Sequence, residues 1–147
     1  VTILLQASDL ANRRGECNRN PKDCTADGLQ RPIKQFYALH MGTLPSGTIS
    51  VMFIAQRSEK DDDGYARAAA AMGDLSACQP GYIGIDSVRG HDGLGITISY
   101  WASEADAKAW RDHPEHIAIR EAGRDRWYTS YSLHVAMITR SYDWQKT

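Results

Sequence analysis

The side chains best suited to chemistry crowd into one stretch of this sequence. It runs Tyr100-Trp101-Ala102-Ser103-Glu104-Ala105-Asp106-Ala107-Lys108-Ala109-Trp110-Arg111-Asp112-His113-Pro114-Glu115-His116 and continues through Gly123-Arg124-Asp125-Arg126-Trp127-Tyr128. On a helix, His116, Arg120 and Trp127 stand at i, i+4 and i+11 and share one face. Such a face offers a proton-transfer group, a cation and a stacking surface to a flat organic molecule. Histidine is the natural acid–base candidate because its ordinary pKa lies near neutrality. Each residue also has a plainer reading. Trp101 and Trp110 suit a core, His116 can cap a bend or bond a backbone carbonyl, and Arg120 and Arg124 suit a solvated face. His113 fits a helix N-cap, while His91 in a turn and His134 on a strand have no visible partner. Gln56, at the end of a strand, is either an amide donor to a ligand or a satisfied edge-of-core amide.

Other catalytic constellations do not occur. The chain has no P-loop, no GxGxxG after a strand, no HExxH and no nucleophile elbow. His113 and His116 are spaced to share a metal on a helix, but no further motif completes a ligand set. The glycines between Gly90 and Gly95 read as a hairpin. A formal charge of −1 gives no electrostatic reason to expect nucleic acid or an anionic membrane as partner. No apolar run approaches the roughly 18 residues of a membrane helix. Cys17, Cys24 and Cys78 lack metal-ligand spacing and form an odd set, so a reduced cytoplasm is the simplest location.

The elements that must hold these residues begin after a change in composition near residue 41. Residues 1–45 keep no period for long and read as a poorly ordered extension, with a short helix near Leu4–Asn12 and a turn-rich centre at Asn18-Arg19-Asn20-Pro21. Met41 is one candidate for the biological start, and a natural flexible tail is the alternative. Residues 46–144 form the expected domain, and 145–147 a tail. Ile49, Val51, Phe53 and Ala55 alternate as in a strand. Asp61-Asp62-Asp63 supplies an N-cap and favourable charge to a helix whose apolar stripe is Tyr65, Ala68, Ala69, Met72 and Leu75. Gln79-Pro80-Gly81 ends it. Two strands, Tyr82 to Arg89 and Leu94 to Trp101, flank a Gly90-His91-Asp92-Gly93 hairpin. Ser103-Glu104-Ala105-Asp106 is a capping box, and Pro114 restarts or bends the second helix, which runs to about Arg126. A last strand is expected over Tyr131 to Arg140.

The order βαββαβ predicts an α+β, ferredoxin-like fold: a four-stranded antiparallel sheet with helices on one face. The other face still carries Met52, Ile54, Ile83 or its neighbours, and Trp101 or Tyr100, which is too apolar for water. Pairing two such faces predicts a homodimer.

The motifs from Gln79-Pro80-Gly81-Tyr82 through Tyr100-Trp101, Trp110, His113-Pro114-Glu115-His116, Gly123-Arg124 and Trp127-Tyr128 resemble the antibiotic biosynthesis monooxygenase family. Within it they resemble the branch of haem-degrading monooxygenases and related proteins. The likeness covers about residues 47–142. It implies a dimeric α+β barrel with a cavity between each sheet and its helices. Members oxygenate aromatic or quinol substrates without flavin or metal, and others open haem. The haem-degrading members use an asparagine on the first strand, a tryptophan on the second helix and a histidine ten residues later. Trp110 matches the tryptophan, the asparagine position falls on Gln56, and the histidine position falls on Arg120, whose guanidinium cannot be a neutral axial ligand.

The resemblance and the residues together predict a monooxygenase acting with O2 on a small aromatic, phenolic or quinol-type substrate, with no cofactor. His116 is cast as base, Arg120 or Arg89 as charge stabiliser, Trp101, Trp110 and Tyr128 as pocket walls, and Gln56 as a further substrate contact. A haem-degrading monooxygenase, with haem as substrate, is one alternative. A non-enzymatic dimer that binds a small molecule is the other.

Overall fold

In the computed structural model, residues 42–146 are described. The expected helix near Leu4–Asn12, the turn at Asn18–Pro21, Cys17, Cys24 and Met41 lie outside them. Strand β1 spans Ile49–Arg57, helix α1 Asp62–Ala77, strands β2 and β3 Tyr82–Arg89 and Leu94–Trp101, helices α2 and α3 Glu104–Arg111 and Pro114–Arg126, and strand β4 Tyr128–Met137. The sheet order is β2-β3-β1-β4, antiparallel throughout. This is the ferredoxin-like arrangement with its second helix in two pieces.

Local chemistry sets the boundaries. Asp61 caps α1 by accepting a hydrogen bond from the Gly64 amide, and it sits in left-handed backbone at φ 53°, a conformation that aspartate tolerates better than most residues. Its other carboxylate oxygen accepts from the Trp127 indole N–H at 3.1 Å, tying the start of α1 to the end of α3. Gly81, at φ 72°, makes the turn into β2, and a Cβ there would run into the Asp106 carboxylate. Ser103 caps α2 through the Asp106 amide. His113 caps α3, with Pro114 in its first turn, so the chain bends between α2 and α3 and does not run through.

The last strand begins three residues earlier than the alternation predicts and ends three earlier. Its register slips between Gln56 and Arg57 of β1, where Ser130 and then Tyr128 are the partners and Thr129 is the extra residue. That bulge breaks the period of two that the sequence reading relies on. Past Met137, the backbone of Ile138 still bonds Gly47 and Thr48, and the ladder then runs out of partners.

Side-chain parity divides the sheet. Ile49 and Trp101 pair across β1 and β3 and pack with Trp110 under the helices, joined by Val51, Met72, Leu75, Tyr82 and Ala107. Of the two aromatics considered for the other face, Tyr100 is therefore there and Trp101 is not. That face also carries Met52 opposite Ile98, Ile54 opposite Ile96, and Val88 beside Ile96. On the helix side, β4 is left largely uncovered. Leu133, Val135 and Met137 are 53%, 54% and 62% exposed.

Trp101 is the largest fully buried side chain, so its removal measures what the core contributes. Trp101→Ala is expected to cost about 3–5 kcal/mol in urea unfolding. A loss below about 1 kcal/mol would show that the core closes without it.

Candidate active site

The bend between α2 and α3 folds His116 back over Trp110. Their rings stack at 4.5 Å between centroids and 5° between planes, and Trp110 in turn lies 6.3 Å from Trp101. His116 Nδ1 stands 3.0 Å from the Trp110 carbonyl oxygen. A carbonyl only accepts, so Nδ1 carries the proton and the lone pair of a neutral ring is left on Nε2. Burial holds the His116 pKa below its ordinary value, against the opposing pull of the Trp110 carbonyl, and the positive charge of Arg120 lowers it further.

Arg120 follows one helical turn later. It donates a long 3.4 Å hydrogen bond to the Arg111 carbonyl, while its Nε–H is buried with no hydrogen-bond partner. The nearest carboxylate, Glu121, is 3.8 Å from that Nε, too far for a hydrogen bond. A neutral imidazole thus stands beside an underused guanidinium. The plainer reading of the same contacts is also present, because both side chains satisfy carbonyls at the end of α2.

Arg89 and Tyr128 lie elsewhere. Along β1, Ile49 faces Trp101 and Ala55 faces Gly95, which in turn faces Arg89. The six residue steps from one row to the other span about 20 Å of strand. Arg89 donates to the Gly93 carbonyl at 2.6 Å and to the Tyr65 hydroxyl at 2.8 Å. Tyr128 packs edge-on against Phe53 and Tyr65. Burial, reinforced by Tyr65, pushes its hydroxyl pKa well above the ordinary value. Trp127 belongs here too, with its ring against Tyr65 and its N–H on Asp61, and not on the His116 face where helical spacing puts it. Gln56 is on the opposite face of the sheet, its amide donating to the Asp92 carbonyl at 2.6 Å. The structure therefore joins Trp101, Trp110, His116 and Arg120 at one end of the layer and gathers Arg89 and Tyr128 at the other.

Two residues of that second group, Arg57 and Tyr65, are not among the site residues that the sequence suggests. Arg57 lies over the Tyr65 ring at 3.9 Å and pairs with Asp62. The signal was there, because Arg57 continues the inward series Ile49, Val51, Phe53, Ala55 with a charge. Tyr65 reads as one more residue of an apolar stripe, which hides its hydroxyl. Among the described residues, no cluster of three His, Cys, Asp or Glu side chains could hold a metal ion. No helix there is long and apolar enough to cross a membrane.

Comparison with known proteins identifies the family. Residues 49–122 match the family described as antibiotic biosynthesis monooxygenase. The Bacillus subtilis (strain 168) protein YqjZ, itself uncharacterized, is 47% identical over 91 residues, which is 62% of this chain and 79% of that protein. Among solved structures, a putative antibiotic biosynthesis monooxygenase from Nitrosomonas europaea superposes with a TM-score of 0.57 at 11% identity, covering 64% of this chain and 92% of that one. SnoaB, a cofactor-independent oxygenase from Streptomyces nogalater, gives 0.54 at 12% identity over 69% of this chain and 97% of its own. These two likenesses bear on the fold alone. With the family match and the YqjZ identity, they make this chain a member of the antibiotic biosynthesis monooxygenase family.

Proposed function

We propose that the chain is a monooxygenase acting with O2 on a small phenolic or quinol-type aromatic, without flavin or metal. One observation carries this reading: a neutral His116, its Nε2 lone pair free of the Nδ1 bond, stands next to the Arg120 guanidinium. Nε2 takes the phenolic proton, and the guanidinium holds the phenolate charge that develops. The phenolate then gives one electron to O2, and the two radicals join at a ring carbon as a peroxide. Loss of the ring-carbon proton with cleavage of the O–O bond leaves one oxygen as a carbonyl and releases the other as water. Trp110 and Trp101 position the base from behind. Membership of the family and the fold shared with SnoaB support the reaction class.

The apolar face of the sheet away from the helices supports a homodimer in the same proposal. Light scattering at micromolar concentration is expected to give twice the chain mass, and a monomeric mass would contradict the pairing.

Oxygen uptake with a panel of quinols and polyphenols tests the reaction. His116→Ala is expected to lose about 10²–10⁴-fold in turnover while keeping a cooperative unfolding transition. Unchanged turnover would remove His116 from the mechanism and leave it as a cap on α2.

The same rates should depend on pH in a defined direction. The folded ring has a pKa below 6.5, so activity falls on the acid side with a midpoint under that value. The stability contributed by the neutral ring is likewise complete above 6.5 and lost as the pH falls through the folded pKa. Arg120→Gln removes a nearby positive charge and should move the acid limb upward. A downward shift, or none, would contradict the electrostatic pairing.

A further inference from the structure

We infer that the end of the layer opposite His116 is a second binding site, where Arg57, Arg89 and the hydroxyls of Tyr65 and Tyr128 receive the carboxylate of a small aromatic acid of the benzoate class. The space for these groups is built into the sequence. Arg89 lies across the sheet over Gly95, where a Cβ would fall 2.5 Å from the guanidinium carbon. Tyr128 lies against Gly123, where a Cβ would fall 2.8 Å from the ring. The bulge at Thr129 puts Tyr128 and Tyr131, three residues apart, on the same face, and both touch Phe53.

The charges leave room for one anion. Arg57 is 12% exposed and has a single carboxylate partner, Asp62, which is 74% exposed. Among the described residues, no carboxylate lies within ion-pair distance of Arg89. Two guanidiniums against one carboxylate leave a net charge of about +1 in a half-buried setting, where an ionic bond is screened less than at the surface. Arg57 Nε is buried with no acceptor, an orphan donor of the kind that a bound carboxylate satisfies. Burial keeps Tyr128 protonated, and its hydroxyl shares a hydrogen bond with that of Tyr65, so the pair has one proton left to donate to a ligand. Phe53 and Tyr131, packed together at 5.1 Å between ring centroids, give one aromatic surface beside the cluster, and the approach is open along Tyr131 and Leu133 of β4. A planar ring carrying one carboxylate matches this combination of aromatic faces and guanidinium forks.

This inference does not rest on the oxygenase reading, because it is tested by binding alone. Isothermal titration of the whole chain with benzoate, benzamide and inorganic phosphate is the experiment. Benzoate should bind at least about tenfold more tightly than benzamide, which lacks the charge, and phosphate should not displace it. Arg89→Gln should weaken benzoate at least about tenfold, and by a larger factor than it weakens benzamide. Should Arg89→Gln fail to fold, Arg89→Lys keeps the charge, loses the fork, and should still bind benzoate more weakly than the parent. Equal affinity for benzoate and benzamide, tight phosphate binding, no benzoate binding at millimolar concentration, or a folded Arg89 variant with parental affinity would each overturn the site.

Discussion

Trp101 closes β3 with no exposed surface, and the placement of His116 follows from that burial. Its indole N–H is satisfied within the same strand by the Ser99 hydroxyl at 2.9 Å, so the ring can be buried without an unpaired donor. Trp110 of α2 stacks on it, and His116 of α3 stacks on Trp110. Three consecutive elements are thereby held at one point. Because the imidazole is stacked on Trp110 and bonded to a carbonyl at the end of α2, the same contacts fix its orientation and put its proton on Nδ1, while burial favours the neutral ring. The bend at Asp112 and His113 makes this possible, since a continuous helix would carry His116 away from Trp110.

At the opposite end, a different device gives a different chemistry. There the sheet presents Arg57 and Arg89, and α1 supplies Tyr65 as a lid over both guanidiniums. Small residues at Gly95 and Gly123 make the space, and the bulge at Thr129 aims Tyr128 into it. One layer between sheet and helices thus has a neutral base beside a cation at one end and paired cations with tyrosine hydroxyls at the other. About 20 Å of strand separates them, so a single-ring molecule reaches only one.

Most of the fold was legible in the sequence. The alternation of Ile49 to Ala55, the aspartates before α1, the Gly90–Gly93 hairpin and the capping box at Ser103 each carry a local rule that the tertiary structure leaves in force. Of the hairpin's two end glycines, only Gly93 has positive φ. The start of β4 was not legible, because a bulge is set by pairing with β1 and leaves no local period. The site was half legible. The structure brings His116, Arg120, Trp110 and Trp101 together, as their crowding in the sequence suggested, and the bond from His116 to a carbonyl at the bend is also present. What sequence spacing could not supply was distance across the sheet. Arg89, Tyr128 and Gln56 are joined to the Trp110 cluster only by type, and register and face assign them elsewhere.

The account turns on His116 being neutral at pH 7 with its proton on Nδ1. Long-range proton–nitrogen NMR correlation of the imidazole rings reads this directly, with His116→Gln used to assign the signals. The account predicts a protonated Nδ1 and a bare Nε2 for His116 at neutral pH. A proton on Nε2 alone, or on both nitrogens, would leave no base facing the site and would contradict it.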